Sequence, residues 1–270
     1  MMIKAIVSDM DGTLLTPESK ISPRTAAAIR MTEANNIRMI VATGRARNTA
    51  YPLLQSAGVE CSCVLLNGAE CRSASGEIIF CEPITGGAPE QILQELMKRN
   101  IDFEINTDIG DFSTNTIVCD TAIAFPSLTE FWQQRPQIKK IFVFDFDTQK
   151  IKETKEWLKS SYPLSITSSE PWCIEITAQN AQKSTMLERM LSDLKIKKEE
   201  VIVFGDGEND ETMFQMFPHS RAVANAVPAI LAMAEKRIES NADDGVAREI
   251  ERILGGNNHV FFQKEESRND

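Results

Sequence analysis

The chain has 270 residues, a formal net charge of −10 at pH 7, a hydrophobic fraction of 42% and a charged fraction of 25%. This composition is ordinary for a globular protein, and the acidic balance argues against a nucleic-acid surface, which would cluster Lys and Arg. No apolar stretch approaches the ~20 residues that a membrane-spanning helix needs, and Asp9 and Asp11 interrupt the apolar start where a signal peptide would need a continuous run.

The first part of the chain alternates strands and helices. We predict strands at 2–8, 37–42 and 62–66, and helices at 22–35 and 46–57. This βαβαβ order is typical of a parallel sheet. Ser22 followed by Pro23 is a favourable helix start, with the serine as cap and the proline in the first turn.

A different pattern follows. A hairpin with arms near 69–72 and 78–81 leads into a Pro- and Gly-containing linker at 82–87. Beyond it we predict helices at 88–99 and 149–160 and short strands near 102–106, 112–118, 140–145, 164–168 and 172–177. Strands grouped in this way indicate an α+β module.

Helix–strand alternation returns near Ala178, with helices predicted near 184–194, 208–216, 228–234 and 244–254 and a strand at 201–204. We therefore predict an α/β fold, a doubly wound parallel-sheet core formed by 1–83 and 178–270, with 84–177 inserted as an α+β cap domain.

The first predicted strand ends in Asp9 and Asp11, followed by Gly12. Open α/β sheets bind ligands outside the carboxyl ends of their strands. Two carboxylates there can hold a hard divalent cation, and one of them can attack an electrophile. The alternative is an Asp-Gly turn in which the aspartate bonds only its own backbone.

The strand at 201–204 also ends in acids. Gly205 and Gly207 allow a tight turn around Asp206, and Asp210 follows four residues later. The alternative for Asp210 is a favourable interaction with a helix dipole. Because two separate strands end in paired acids, the sequence favours a common site.

The strand predicted at 37–42 is followed by Thr43, Gly44 and Arg45, which form a potential anion site. Thr43 can donate to a phosphate oxygen, Gly44 permits close approach, and a helix N-terminus follows. Thr43 can instead simply cap that helix. Lys183 opens the predicted helix at 184–194, where a solvated surface position is the alternative.

Two other features are interpreted as structural. Cys61, Cys63, Cys71 and Cys81 lack zinc-site spacing, and the six cysteines are expected to be reduced. Asp147, in a second two-aspartate pattern with Asp145, is predicted to cap the helix at 149–160.

Taken as a set, four segments resemble the four motifs of the haloacid dehalogenase superfamily of phosphohydrolases, in the family's order. They are Asp9-Met10-Asp11-Gly12-Thr13, Thr43-Gly44-Arg45, Lys183, and Gly205-Asp206 with Asn209-Asp210. The spacing is similar to the Cof-type branch, which has an α/β cap inserted between the second and third motifs. Further similarities lie at Asn67-Gly68-Ala69, Ala224-Asn225-Ala226 and 243–247.

The lack of a signal-peptide layout and of a membrane segment leads us to expect a cytoplasmic protein, and the resemblance implies a Mg²⁺-dependent phosphatase. In that interpretation Asp9 is the nucleophile and Asp11 the general acid and base. The metal ligands are Asp9, Asp206 and the backbone carbonyl of Asp11. Asp210 does not bind the metal directly and instead orients Lys183 or a metal-bound water.

The same resemblance assigns a second set of residues to the binding of the phosphoryl group and of the rest of the substrate. They are Thr43, Gly44, Lys183 and Asn209 for the phosphoryl group, and Arg45 for the substrate. Arg45 could instead form only a surface salt bridge. Phe103, Phe125, Trp132 and Trp172 are available to line a pocket in the cap, although such rings are more often part of a core.

Three functions remain open from the sequence. The first is a phosphatase acting on a small phosphorylated metabolite, such as a sugar phosphate or a phosphorylated cofactor. The second is a phosphotransferase such as a phosphohexomutase on the same scaffold, and the third is a non-catalytic phosphate-binding module. We expect a small-molecule phosphorylated partner, no nucleic acid and no membrane, and a monomer or weak homodimer.

Overall fold

The computed structural model describes residues 2–266. Within that range the strands are β1 (Ala5–Ser8), β2 (Arg38–Ala42), β3 (Ser62–Leu65), β4 (Glu70–Arg72), β5 (Ile78–Cys81), β6 (Asp102–Thr107), β7 (Asp111–Ser113), β8 (Ile123–Ala124), β9 (Ile138–Phe144), β10 (Leu164–Thr167), β11 (Cys173–Ala178), β12 (Val201–Gly205), β13 (His219–Val223) and β14 (Lys236–Ile238).

The α-helices of the described residues are α1 (Pro23–Ala34), α2 (Arg47–Ser56), α3 (Ala88–Lys98), α4 (Leu128–Gln133), α5 (Thr148–Ser161), α6 (Lys183–Asp193), α7 (Glu211–Met216), α8 (Pro228–Met233) and α9 (Gly245–Glu266). Short turns of other helical types lie at Met10–Leu14, Leu66–Gly68, Lys198–Glu200, Glu208–Asp210 and Asn241–Asp243.

The larger sheet has the strand order β14-β13-β12-β1-β2-β3-β4-β5. The pairs β1–β2, β1–β12, β12–β13 and β13–β14 are all parallel. From β1 the chain proceeds to one side through β2, and it later returns to the other side of β1 with β12. The strand order therefore reverses between β1 and β12, and such a switch point is where open α/β sheets bind ligands.

By packing, the chain divides into two compact units. The first comprises Met1–Ala42, Tyr51–Cys63 and Glu188–Asp270. Its central strands β1 and β12 are buried along their whole length, as expected for apolar strands covered on both faces of a parallel sheet. Helix α1 begins as predicted at Ser22, whose Oγ accepts from the Thr25 N–H and donates to Asp244 Oδ1 at 2.5 Å.

The second unit comprises Thr43–Ala50 and Val64–Leu187. It contains a six-stranded sheet in the order β10-β11-β9-β6-β7-β8, antiparallel except between β7 and β8. The apolar side chains of β6, β9 and β11 pack in one hydrophobic cluster with α3 and α5. Phe103, Phe125 and Trp132 belong to this cluster, so they are core residues, whereas Trp172 packs with Phe142 and Phe144 in a smaller one.

The α/β class with a parallel-sheet core is confirmed, and so is the cap at Asp147, whose Oδ1 accepts from the Gln149 and Lys150 N–H groups. The strand predicted at 112–118 is wrong beyond Ser113. The Asn115 side chain accepts from the N–H groups of Ile117 and Val118 and forms a turn there.

Some elements are absent from the prediction. Strands β13 and β14 carry His219, Arg221, Lys236 and Arg237 and so lack the apolar run by which strands are recognised. Helix α4 has only six residues, although its Ser127–Glu130 capping box is a clear local start signal.

The second unit includes the segments 43–50, 64–83 and 178–187, which lie outside the predicted cap of 84–177. Two buried lysines of β9 hold parts of these segments. The Lys140 ammonium donates to the Gly44 carbonyl at 2.7 Å, and the Lys139 ammonium pairs with Glu70. The insertion of 84–177 into a core of 1–83 and 178–270 therefore stays a prediction, and residues 267–270 lie outside the described part of the chain.

Within residues 2–266, no helix combines the length and the hydropathy that crossing a bilayer would require.

Helix α9 carries a buried carboxylate, Glu249, that forms ion pairs with basic residues of the first unit. Glu249 is only 2% exposed and pairs with Arg221 at 2.9 Å, Lys236 at 2.6 Å and Arg252 at 3.3 Å. Burial acts to raise the pKa of Glu249, but these cations outweigh it and lower that pKa below its ordinary value.

We predict that Glu249→Ala lowers the free energy of unfolding by about 2 kcal/mol at pH 7, because the half-buried Arg221 guanidinium loses a charge-assisted hydrogen bond, while the other two cations paired with Glu249 stay partly solvated. The matched control is Glu251→Ala on the same helix, whose exposed pair with Arg24 should contribute much less. Since the folded pKa of Glu249 is lowered, its contribution should be present at neutral pH and decline below about pH 4.3. Urea unfolding at pH 7 and pH 4 measures both; equal losses for the two variants at pH 7 would contradict the assignment.

Candidate active site

Asp9 lies directly after β1, at the switch point of the sheet. Its N–H donates to the Phe204 carbonyl at 3.0 Å, so the parallel pairing of β1 with β12 extends to this residue. The Ser8 hydroxyl donates to the Asp9 carbonyl at 2.7 Å. Asp9 is 4% exposed. The backbone therefore holds a carboxylate at the carboxyl end of a buried strand.

Asp206 follows the neighbouring strand β12 and lies beside Asp9. One carboxylate oxygen from each of Asp9, Asp206 and Asp210 falls within 4.8 Å of the others. We call these three residues the acidic cluster. The sequence predicted Asp9 and Asp206 as partners, and the structure brings them together.

Two hydrogen-bonding arrangements fix the acidic cluster. The Thr13 hydroxyl donates to Asp206 Oδ1 at 2.6 Å. Asp210 Oδ2 accepts from the N–H groups of Asp206 at 2.9 Å and Gly207 at 3.1 Å. The Asp210 side chain thus shapes the turn after β12 by accepting from its backbone N–H groups, a role not anticipated from the sequence.

Two glycines make room for these carboxylates. Gly12 has a φ of +73°, and a Cβ atom there would overlap the Asp206 carboxylate. A Cβ atom at Gly205 would lie 2.5 Å from Asp210 Oδ2. The Gly12 carbonyl accepts from Asn225 Nδ2 at 2.7 Å, which ties the turn after β1 to a later loop of the same unit.

The donor set of the acidic cluster consists of carboxylate oxygens, the ligands that hard divalent cations such as Mg²⁺ prefer. Asp11 differs, because its side chain is exposed and is not one of the three clustered carboxylates. Asn209 is half-buried in the turn Glu208–Asp210.

The second unit contains the turn Thr43-Gly44-Arg45, which we call the threonine turn. The Thr43 N–H donates to the Val64 carbonyl at 2.8 Å, and the Thr43 carbonyl accepts from the Asn67 N–H at 3.0 Å. The Arg45 N–H donates to Thr43 Oγ1 at 3.1 Å. Thr43 is fully buried, whereas Gly44 and Arg45 are half-buried.

A left-handed segment supports the threonine turn. Leu66, Asn67 and Gly68 have φ values of +52°, +55° and +106°. Left-handed backbone costs roughly 1–2 kcal/mol per residue with a side chain, and strain of this kind clusters at functional sites. A Cβ atom at Gly68 would lie 2.6 Å from the Gln182 backbone, immediately before Lys183.

Lys183 is the first residue of α6 and is 1% exposed. The surface alternative for this lysine is therefore wrong. A buried ammonium is retained only where negative charge or acceptors surround it. The second unit thus has a hydroxyl, a glycine turn and a buried cation as its own potential anion-binding groups.

The sequence singled out Asp9, Asp206, Thr43 and Lys183 because each follows a strand or opens a helix. It missed the hydrogen bond from Thr13 to Asp206, which joins residues 193 positions apart. The available signal was the position of Thr13 beside Gly12, in the turn that leaves β1.

We predict that Gly68→Ala destabilises the protein by at least about 2 kcal/mol, because the methyl group meets backbone and an L-residue is strained at this φ. Gly87→Ala is the matched control, since a Cβ atom there meets nothing within 4 Å and its cost should stay below about 1 kcal/mol. Thermal and urea unfolding compare the two; similar stabilities would show that residue 68 tolerates a side chain.

Comparison with known proteins identifies the family. The family model described as haloacid dehalogenase-like hydrolase matches residues 6–250. The chain is 27% identical over 285 residues to the 5-amino-6-(5-phospho-D-ribitylamino)uracil phosphatase YwtE of Bacillus subtilis, with 94% of this chain and 99% of that protein covered. It is 25% identical to the HMP-PP phosphatase of Cronobacter sakazakii, with 83% of this chain and 85% of that protein covered.

The fold agrees with solved structures. A haloacid dehalogenase-like hydrolase from Bacillus subtilis matches with a TM-score of 0.88 at 22% identity, over 92% of this chain and 99% of that chain. Another from Bacteroides thetaiotaomicron matches with a TM-score of 0.80 at 22% identity, over 93% and 99%. The resemblance noted in the motifs is confirmed, and the chain belongs to the haloacid dehalogenase-like hydrolases, in their Cof-type branch.

Proposed function

We propose that this hydrolase is a Mg²⁺-dependent phosphatase that cleaves small phosphorylated metabolites through an aspartyl-phosphate on Asp9. The observation that carries the proposal is the buried Asp9 carboxylate within 4.8 Å of an Asp206 carboxylate oxygen. A pure phosphate-binding module has no use for an attacking carboxylate beside a cation site. Relatives named as phosphatases support the same reaction class.

The cation explains why a carboxylate can approach a phosphate dianion. Asp9 and Asp206, with the backbone carbonyl of Asp11, are the proposed ligands of Mg²⁺, which neutralises charge between nucleophile and substrate when bound. The Thr13 hydrogen bond holds Asp206 in place for this role. The Asp210 side chain stabilises the turn that carries Asp206, because it accepts a hydrogen bond from the Asp206 N–H.

Asp9 then attacks the phosphorus atom in line with the leaving oxygen. The Asp9 oxygen–phosphorus bond forms while the bond from phosphorus to the ester oxygen breaks. Asp11 donates its proton to the departing alkoxide. In the second step Asp11 takes a proton from water, which attacks the aspartyl-phosphate, releases phosphate and restores Asp9.

Thr43, Gly44, Lys183 and Asn209 are proposed to bind the phosphoryl oxygens. Hydroxyl, backbone and ammonium donors are suited to the charge on these oxygens in the transition state. Arg45 is proposed to contact the substrate beyond the phosphoryl group.

We predict that the purified protein releases inorganic phosphate from phosphomonoesters with Mg²⁺ and no added acceptor. The panel should include an aryl phosphate, sugar phosphates and 5-amino-6-(5-phospho-D-ribitylamino)uracil, the compound in a relative's name. Chelation with EDTA should remove the activity and excess Mg²⁺ restore it. Turnover that requires an added sugar acceptor would instead indicate the phosphotransferase alternative.

We predict that Asp9→Asn lowers kcat by at least about 10³-fold, since an amide cannot act as the nucleophile. Asp193→Asn, an exposed carboxylate at the end of α6, is the control and should retain normal kcat. Trapping of the phosphoenzyme by acid quench gives a second readout. An Asp9→Asn protein with most of its activity would refute the assignment.

We predict that Asp11→Asn slows turnover by about 10²–10⁴-fold, the usual contribution of a proton-transfer group. Its thermal shift on adding Mg²⁺ should remain close to that of the unsubstituted protein, because only the Asp11 backbone is assigned to the metal. Loss of the Mg²⁺ shift with a normal rate would mean that the two roles are reversed.

A further inference from the structure

A buried ion pair in the second unit has no part in the reaction described above. Lys140 of β9 and Glu175 of β11 are 5% and 4% exposed. The Lys140 ammonium donates to Glu175 Oε1. Two buried charges cost desolvation free energy that an apolar pair of similar volume would avoid. The position of this pair therefore suggests a role beyond stability.

The pair lies against the threonine turn. The Lys140 ammonium also donates to the Gly44 carbonyl at 2.7 Å. A Cβ atom at Gly44 would lie 2.7 Å from Glu175 Oε1. Residue 44 is therefore in close contact with both members of the pair, and a side chain there would displace the Glu175 carboxylate.

This contact fixes the orientation of the peptide group between Gly44 and Arg45. Its carbonyl is bound by Lys140, and its N–H donates to Thr43 Oγ1. A trans peptide directs these two groups in opposite directions. Since Thr43 Oγ1 accepts from Arg45, the hydroxyl proton is directed away from that bond and can be donated to another acceptor.

The Glu175 carboxylate also interacts electrostatically with Lys183. Burial acts to raise the pKa of Glu175, but Lys140, the Asn67 side chain and Lys183 together outweigh it and lower that pKa below its ordinary value. Glu175 is therefore a buried negative charge that is paired with Lys140 and also attracted by Lys183. The Lys140 ammonium balances most of the negative charge of Glu175, so Lys183 is not needed to do so.

We propose that Lys140 and Glu175 are positioning residues for phosphoryl binding, a role that rests on the proposed function. Lys140 orients the Thr43 hydroxyl through the Gly44 carbonyl. Lys140 also balances Glu175, which leaves the positive charge of Lys183 available to a phosphoryl group.

The test compares K140M with K139M, a matched control on the same strand. Lys139 also forms a buried ion pair, with Glu70, but that carboxylate is bound in addition by Arg72, and the pair holds strand β4 rather than the threonine turn. Both substitutions leave one buried carboxylate with fewer partners. Both should therefore lower the melting temperature, whereas only K140M should change phosphate binding.

Binding of inorganic phosphate with Mg²⁺, measured by calorimetry, is the first readout because it needs no turnover. K140M should weaken it at least about tenfold, the scale of one lost charge-assisted hydrogen bond. The kcat/KM for an aryl phosphate should fall by at least as much. K139M should stay within about twofold of the unsubstituted protein in both quantities, a difference of less than one lost hydrogen bond.

The double variant K140M/E175Q gives the independent test, and it avoids the unpaired buried charge that could prevent K140M from folding. It removes the carboxylate that would otherwise compete for Lys183. Its phosphate affinity should therefore lie between those of K140M and the unsubstituted protein.

Unchanged phosphate affinity and kinetics in folded K140M, or in the double variant, would overturn the proposal. Equal kinetic losses in K139M and K140M would do so as well, since they would indicate a general loss of packing. Phosphate binding by the unsubstituted protein without turnover would instead refute the proposed phosphatase activity while leaving the positioning role measurable. Absence of any phosphate binding would overturn both.

Discussion

Two carboxylates at the ends of adjacent parallel strands repel each other, and the first unit is arranged to hold them together. Two like unit charges 4 Å apart repel by about 4 kcal/mol at the effective dielectric constant of a protein surface, and one carboxylate oxygen from each residue of the acidic cluster lies within 4.8 Å of the others. Strand pairing brings Asp9 and Asp206 to the same edge. The hydrogen bond from Thr13 and the backbone N–H groups on Asp210 offset part of the repulsion. A divalent cation bound to the acidic cluster would offset more of this repulsion, which is the role assigned to Mg²⁺ in the proposed function.

The second unit handles charge differently. Its sheet buries cations in matched pairs, Lys139 with Glu70 and Lys140 with Glu175. Its strained left-handed segment brings Gly68 against the residue before Lys183. Strain and buried charge both cost stability. The left-handed segment and the Lys140–Glu175 pair both contact the threonine turn, an arrangement that favours fixed donors over maximal stability, as in pre-organised sites.

Relatives of similar length are named after different substrates. The acidic cluster depends on short turns after strands, where one glycine or hydroxyl decides the geometry. The six-stranded sheet of the second unit packs its apolar side chains with α3 and α5, and it buries Lys139, Lys140 and Glu175 in ion pairs.

The sequence by itself determined the fold class and the main candidates, because apolar strands ending in Asp9, Thr43 and Asp206 are local patterns. It also determined the caps at Ser22 and Asp147, which depend on residues only a few positions apart. Only the tertiary structure decided which distant side chains meet. The Thr13–Asp206 bond and the Lys140–Gly44 contact join residues 193 and 96 positions apart, and no local pattern encodes such a distance. Burial was also decided there: Lys183 is polar in sequence, yet the packing around the start of α6 encloses it.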